Sequence, residues 1–510
     1  MKHMRIILPV VVIFAVFSVA CTDLEEQLED RLTLEQVEEA TAGADPDVSA
    51  LLAETYIALT KIYGGGNDVF TEHSSDVLIA PTRGGDWDDN GVWRALHLHN
   101  WDADHQYLAN YFERLSSGLF SALDLLQFNP NAQQEAEARF LRSLFVFWIC
   151  DGWGQVPIRE PGAALAELPV VLSSSEAISF VIDELEAILP DLPTGVNAWV
   201  ASQDAAYALL AKAYLNKAVF ESEDRQSFTF TAGDMNSVIT NCDALITAGN
   251  YALEEQYFDN FTSDNGENST EMIFCSYNIA GERSEGVRGQ WMSGLHYNQT
   301  PSGWNGFTTL ADFYNTFEET DIRRGADLPK LKSEFGLNAG FLVGQQYDKD
   351  GNALKDRQDR PLAFTPESPI MVSGPTLETS GYRTIKYVPD ADNEETPGND
   401  LSILRYADVL LMKAEALMRT GDNAGGLVVV NEVREARGAS PLASLDEAAL
   451  LAERGRELYW ENWRRNDLIR FGKYLDAWDQ KPASSATYLL FPFSSPQIVA
   501  NPELQQNPGY

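Results

Sequence analysis

The sequence predicts a mostly α protein: a tetratricopeptide-like scaffold of paired helices carrying a large insertion rich in loops and short hairpins. Three observations predict it. Apolar residues recur at helical spacing over much of residues 45–250 and again from 401 to about 471. Small residues, Ala407, Ala414 and Ala416, recur in one helical hairpin at the spacing that lets paired backbones approach closely. Between 251 and 400 the composition shifts to Gly, Asn, Thr, Pro and aromatics, with only short β-like runs.

In chain order, Lys2 and Arg5 form a basic start, and the apolar run 6–19 is short for a membrane span, which needs about 20 residues. Ser18, Val19 and Ala20 lead small residues into Cys21. This arrangement resembles a bacterial lipoprotein signal, with Ser18 where Leu is usual, so residues 1–20 are expected to be a leader and Cys21 the lipidated residue. Cys150, Cys242 and Cys275 are odd in number and lack metal-knuckle spacing, and no disulfide is expected. After an acidic tether over 22–30, Asp45 and Pro46 suit the N-cap and first position of a helix running to residue 63 and ended by Gly64, Gly65 and Gly66. Residues 64–104 read as a loop rich in Gly, Asp and Trp.

Further helices are expected over 108–127, from Asn129-Pro130 to about 149, over 173–189 with Ser173 and Glu176 at capping-box spacing, over 202–220, and over 234–248. Within the insertion, 272–277 and 382–388 look β-like. Tyr406, Leu410, Ala414 and Leu417 then mark a helix ended by Gly421, and Asp422 caps a second one entered by Leu427, Val430 and Asn431. Ser444 and Glu447 cap a last helix to about 471. Its Arg456, Glu457, Glu461, Arg464 and Asp467 are spaced for exposed ion pairs of structural role. The Pro-rich tail excludes regular helix. The division is therefore a leader (1–20), an N-terminal region (21–250), an insertion (251–400) and a C-terminal region (401–510).

The chain holds 76 Asp plus Glu against 37 Lys plus Arg, a formal net charge of -39. Such a field repels a phosphate backbone, which excludes nucleic acid as a partner. It reads as a heavily solvated surface, with adaptation to high salt as one reason for it.

Four separated segments, "FLRSLFVFWICDGWGQVPI", "LRYADVLLMKAEALMRTGD" with "VNEVREARGA", "RGRELYWENWRRNDLIRFGKY" and "FPFSSPQIVANPELQQNPGY", together resemble the SusD/RagB family of outer-membrane nutrient-binding lipoproteins. The resemblance spans essentially the whole mature chain. It departs at Gly425-Gly426, where Ala-rich sequence is usual and each Gly costs about 1 kcal/mol of helix propensity. It implies a lipid anchor on the outer membrane, with the acids after Cys21 resembling a surface-export signal. It also implies a SusC-like TonB-dependent β-barrel as partner, a ligand held by loops on the helical scaffold, and no catalysis.

Sugars present apolar C–H faces and rings of hydroxyls, so a glycan site needs flat aromatics beside fixed polar groups. Arg83, Asp86, Trp87, Asp88, Trp93 and Trp101 supply that chemistry on one stretch, with Asn90 beside them, and Trp291, Tyr297, Trp304 and Asn305 supply it on another. The two stretches must converge for the site to form. Rival readings are a peptide ligand, a glycoside hydrolase using Asp86, Asp88 or Asp89, and a helical adaptor without a small ligand. Asp348, Asp350, Asn352, Asp356 and Asp359 have the spacing of a calcium loop, but Ala353 stands where Gly is needed and an Asp350-Gly351 turn explains them as well. A structural calcium is the one cofactor candidate. His97, His99 and His105 lack the spacing of a zinc site.

Overall fold

Most of the longer helices begin where the chain supplies a side-chain cap. In a computed structural model describing residues 46–63, 70–164 and 167–510, α1 (Val48–Lys61) is capped by Asp47, whose side chain accepts from the Ser49 N–H. The cap is thus two residues beyond the expected Asp45, because a carboxylate at 47 reaches the free N–H groups and Pro46 stays outside the helix. The leader 1–20, Cys21, the acidic tether and Gly64 to Gly66 lie outside the described residues. Helix α2 (Gln106–Leu126) starts at His105, whose Nδ1 accepts from the Leu108 N–H, and α3 (Ala132–Trp153) at an Asn131/Gln134 capping box. Helix α4 (Ser174–Ile188) starts at the expected Ser173/Glu176 box, α5 (Gln203–Phe220) at Ser202 and α6 (Ala232–Ala248) at Thr231. After the insertion come α7 (Tyr406–Arg419) and α8 (Asn423–Ala436), divided by Gly421 at φ +93° and capped by Asp422 as the turn chemistry predicts.

From α1 to α8 each helix packs against the next, and α6 lies directly on α7 although the whole insertion separates them in sequence. One stack of helix pairs is therefore interrupted, without being broken, by residues 249–405. Gly426 of the Gly pair in α8 has a packing reason. A Cβ at Gly426 would lie 2.8 Å from the Ala414 carbonyl oxygen of α7, so the two helices meet backbone to backbone there. Gly426→Ala, stabilising by propensity alone, is expected instead to destabilise by about 1–3 kcal/mol through overpacking, read as a lowered midpoint in a denaturant melt. A raised midpoint would show that the hairpin has slack.

The insertion is clasped to the scaffold by Met272–Ser276, which pairs antiparallel with Leu401–Arg405, the strand that runs straight into α7. Arg383–Ile385 pairs with Ala339–Leu342, so both expected β-like runs form strands. Four features depart from expectation. Gln155–Ile158 and Val170–Ser173 form a hairpin, and Val92–Leu98 is a helix inside the supposed loop. The last helix is two, α9 (Glu447–Leu458), capped by Asp446 rather than Ser444, and α10 (Arg464–Arg470), because Trp460 and Asn462 between them adopt left-handed φ of +59° and +64°. The tail contains a short helix, Ser495–Ala500, with a proline in its first turn, where no N–H is missed.

The charges of the α9–α10 segment are interior, which corrects their reading as exposed pairs. Glu457 bonds Arg323 of the insertion together with Arg405 and Arg437 of the scaffold. Glu453 bonds Arg323, Arg434 and Arg456. Beside them on α9, Arg454 meets Asp408, which also takes Lys212, while Arg470 of α10 meets Glu415 and Asp467. Among the described residues, buried Lys and Arg nearly match buried Asp and Glu in number, so their acid excess belongs to the surface.

Candidate ligand platform

Two loops and one turn meet at this site. Thr82–Arg83 pairs in parallel with Met371–Val372, and Arg83 turns back at once, exchanging backbone hydrogen bonds with Asp86. The buried Arg83 guanidinium donates to the carbonyls of Gly306, Leu377 and Ser380, tying the first loop to the second. Arg383, also buried, donates to Asn305 Oδ1 and to the Glu378 and Ser380 carbonyls. Left-handed backbone at Trp87 (φ +60°) and Asn305 (φ +53°) then aims the tips. For a bulky Trp that conformation costs on the order of 1–3 kcal/mol, and such strain concentrates where side chains must be aimed.

The two aromatic stretches converge. Trp87 Nε1 donates to the Trp304 carbonyl at 2.9 Å, with the two rings 6.5 Å apart, and Tyr297 Oη donates to Asp86 Oδ2 at 3.1 Å. Trp304 is 47% exposed, Asp86 is exposed, and Trp87, Tyr297 and Asp88 are half-buried. Trp87 is backed by Trp93 and Phe307, and a Cβ at Gly306 would run into its indole at 2.2 Å, so only glycine lets the ring lie flat there.

The other candidates are framework. Trp93, on the helix Val92–Leu98, is buried and donates its indole N–H to Asp89 Oδ2 at 2.7 Å. Trp101 is buried and donates to the Tyr510 hydroxyl at 2.7 Å, and Trp291 is fully buried on the helix Val287–Met292. Buried rings offer no face to a ligand, so these three are packed framework, while Arg83 and Asn305 hold the loops together. Asp88 is paired with Arg94.

Asp348 accepts from the backbone of Asp350 and Asn352 and from the Asn352 side chain, closing a hairpin turn. Asp356 is taken by Gln358 and Arg360 in a separate turn. The calcium-type spacing of Asp348, Asp350, Asn352, Asp356 and Asp359 is therefore two turns. Among the described residues no group of three His, Cys, Asp or Glu is placed to hold a metal. His97, His99 and His105 each bond a backbone carbonyl and are buried.

Sequence reasoning missed the group that completes the face. Arg357 lies over the Tyr297 ring, 4.0 Å from its centroid, with Nη2 3.9 Å from Asp86 Oδ2. Its Nε and backbone N–H both donate to the buried Glu378. His296 Nδ1 accepts the Asn298 N–H, so the neutral ring carries its proton on Nε2 and donates it to Glu378 Oε2 at 2.8 Å. Burial opposes charge on Glu378, but the donors of Arg357 and His296 outweigh it and hold the carboxyl below its ordinary range. Burial in turn depresses His296. Nothing in "KDRQDR" marks Arg357, because its partners lie 21 residues or more away.

A stack of paired helices bearing an aromatic and charged face, on one loop of the N-terminal region and others of the insertion, defines a scaffolded platform protein. The chain belongs to the SusD family, whose model matches residues 251–510, half of its length. It is 26% identical over 449 residues to the starch-binding protein SusD of Bacteroides thetaiotaomicron, covering 79% of this chain and 76% of that one. It is 24% identical over 565 residues to SusD-like protein P25 of Formosa agariphila, covering 98% and 99%. Among solved structures it shares its fold with a SusD superfamily protein of Parabacteroides distasonis (TM-score 0.70, 20% identity, 94% of this chain and 100% of that one). It shares it also with a laminarin-binding SusD-like protein (TM-score 0.68, 21% identity, 91% and 99%).

Proposed function

We propose that this protein is a lipid-anchored outer-membrane protein, held through Cys21, that binds a glycan or its oligosaccharides on Trp304, Trp87 and Tyr297. It passes the ligand to a SusC-like TonB-dependent barrel without cleaving it. The observation that carries the reading is the meeting of the Trp87 and Trp304 loops on one exposed face, with polar groups fixed beside the rings. Starch binding in one relative and laminarin binding in a structural neighbour support it. The engagement of Asp88 by Arg94 and of Asp89 by Trp93 favours binding over an acid-and-nucleophile pair. No described helix is long and apolar enough to cross a membrane, which accords with an anchor carried elsewhere.

Trp304→Ala is expected to weaken glycan binding tenfold or more, about 1.4 kcal/mol, with an unchanged melting temperature. Trp93→Ala is expected to lower the melting temperature by removing core. Titration calorimetry with a panel of polysaccharides checks both, and a Trp304→Ala chain that binds as well as the wild type would remove the platform.

A further inference from the structure

We infer that Arg357 and Asp86 together select neutral glycans and reject anionic ones, with Glu378 as the positioning residue. The inference rests on the platform reading above. Arg83 and Arg383 have their terminal nitrogens committed to buried acceptors. Arg357 differs: only its Nε and backbone N–H are bonded, and its side chain is 47% exposed. Both Nη groups therefore offer donors along the face on which Trp304 stands. Stacking on Tyr297 and the grip of Glu378 fix the guanidinium plane, so little freedom is lost when a ligand accepts from it.

The neighbour of those donors decides the ligand class. Asp86 Oδ2 lies 3.9 Å from Arg357 Nη2 and takes the Tyr297 hydroxyl, leaving Oδ1 as an open acceptor. A donor fork beside a carboxylate oxygen matches a pair of adjacent hydroxyls, since each hydroxyl both accepts and donates. A uronate or sulfate on Arg357 would instead be forced against the Asp86 carboxylate, on a protein of formal charge -39. The platform accordingly takes neutral sugars with free vicinal hydroxyls, and Asp86 is the element that turns anions away.

The test is titration of wild type, Arg357→Gln, Arg357→Lys and Asp86→Asn at physiological salt. The probes are neutral oligosaccharides from laminarin, starch and mannan, and anionic oligogalacturonate and oligoalginate. Wild type is expected to bind at least one neutral probe and neither anionic one. Arg357→Gln should weaken the neutral probe at least tenfold, and Arg357→Lys, which keeps the charge and loses the planar fork, at least fivefold, both in chains that remain folded by circular dichroism at the titration temperature. Asp86→Asn should raise the ratio of anionic to neutral affinity at least tenfold. Anionic probes bound by the wild type as tightly as neutral ones, or Arg357 variants that bind like the wild type, overturn the inference while leaving the platform standing. A wild type that binds none of the probes overturns the platform reading and this inference with it.

Discussion

Glu457→Gln is expected to destabilise the protein by about 3–5 kcal/mol. Glu457 Oε1 accepts from Arg405 Nη1 at 2.7 Å and Arg437 Nη2 at 3.0 Å, while Oε2 accepts from Arg323 Nη1 at 3.0 Å. All three guanidiniums are fully buried. Burial opposes charge on Glu457, yet the three arginines outweigh it and hold the carboxyl well below its ordinary range. An amide keeps the shape but removes the charge and turns one acceptor into a donor facing two of these buried guanidiniums, whichever oxygen it replaces. Glu447, an exposed partner of Arg419 at 3.3 Å, is the control, and Glu447→Gln should cost less than about 1 kcal/mol. Denaturant melts separate the two, and a Glu457→Gln chain within about 1 kcal/mol of wild type would show that the buried cluster is dispensable. Because Arg323 belongs to the insertion and Arg405 and Arg437 to the scaffold, Glu457 is also a clamp between the frame and the insertion that carries Tyr297 and Trp304.

That clamp shows where sequence reading succeeds and stops. Local chemistry was legible: Ser173 with Glu176, Ser202, and the Gly421-Asp422 turn each act within four residues, and the structure uses them as caps and breaks. The split scaffold was legible because apolar residues recur at helical spacing on both sides of the insertion. Burial of a charge was not, because Arg456, Glu457 and Glu461 are spaced like surface pairs, while the partners that draw Glu457 inward, Arg323 and Arg405, lie 134 and 52 residues away. The break of the last helix was hidden for a related reason: Trp460 and Asn462 take left-handed backbone without a glycine to announce it. The meeting of the two aromatic stretches was half legible. Tryptophans in Gly-rich loops mark the region, but which rings face solvent depends on Phe307, Gly306 and Arg83 meeting from distant segments, and so Trp93, Trp101 and Trp291 look in sequence much like Trp304.

Melting temperature is expected to peak in mild acid and to collapse between pH 4.5 and about 2. For Glu453 and Glu415, burial raises the pKa, but the arginines beside them outweigh it and bring each from its ordinary 4.5 down to about 2. A carboxyl depressed in the folded state stabilises fully above pH 4.5 and loses that contribution as pH falls through its folded value. At about 1.4 kcal/mol per pKa unit, each gives up roughly 3 kcal/mol across that window. Glu72 and Asp400 act in the opposite sense. Burial pushes them up to about 8 and about 7, so the folded chain holds their protons where the unfolded chain does not, and stability falls as pH rises from about 4 towards 8. Glu72→Gln should therefore flatten the alkaline slope and leave the acid limb in place. Molar salt separates the causes further: it screens repulsion among the exposed acids and should raise the shoulder near pH 8, whereas the buried pairs are screened little, so the collapse below pH 4.5 should stay where it is. An acid limb that moves with salt as much as the alkaline shoulder would place the responsible carboxylates on the surface and remove the buried cluster as the cause.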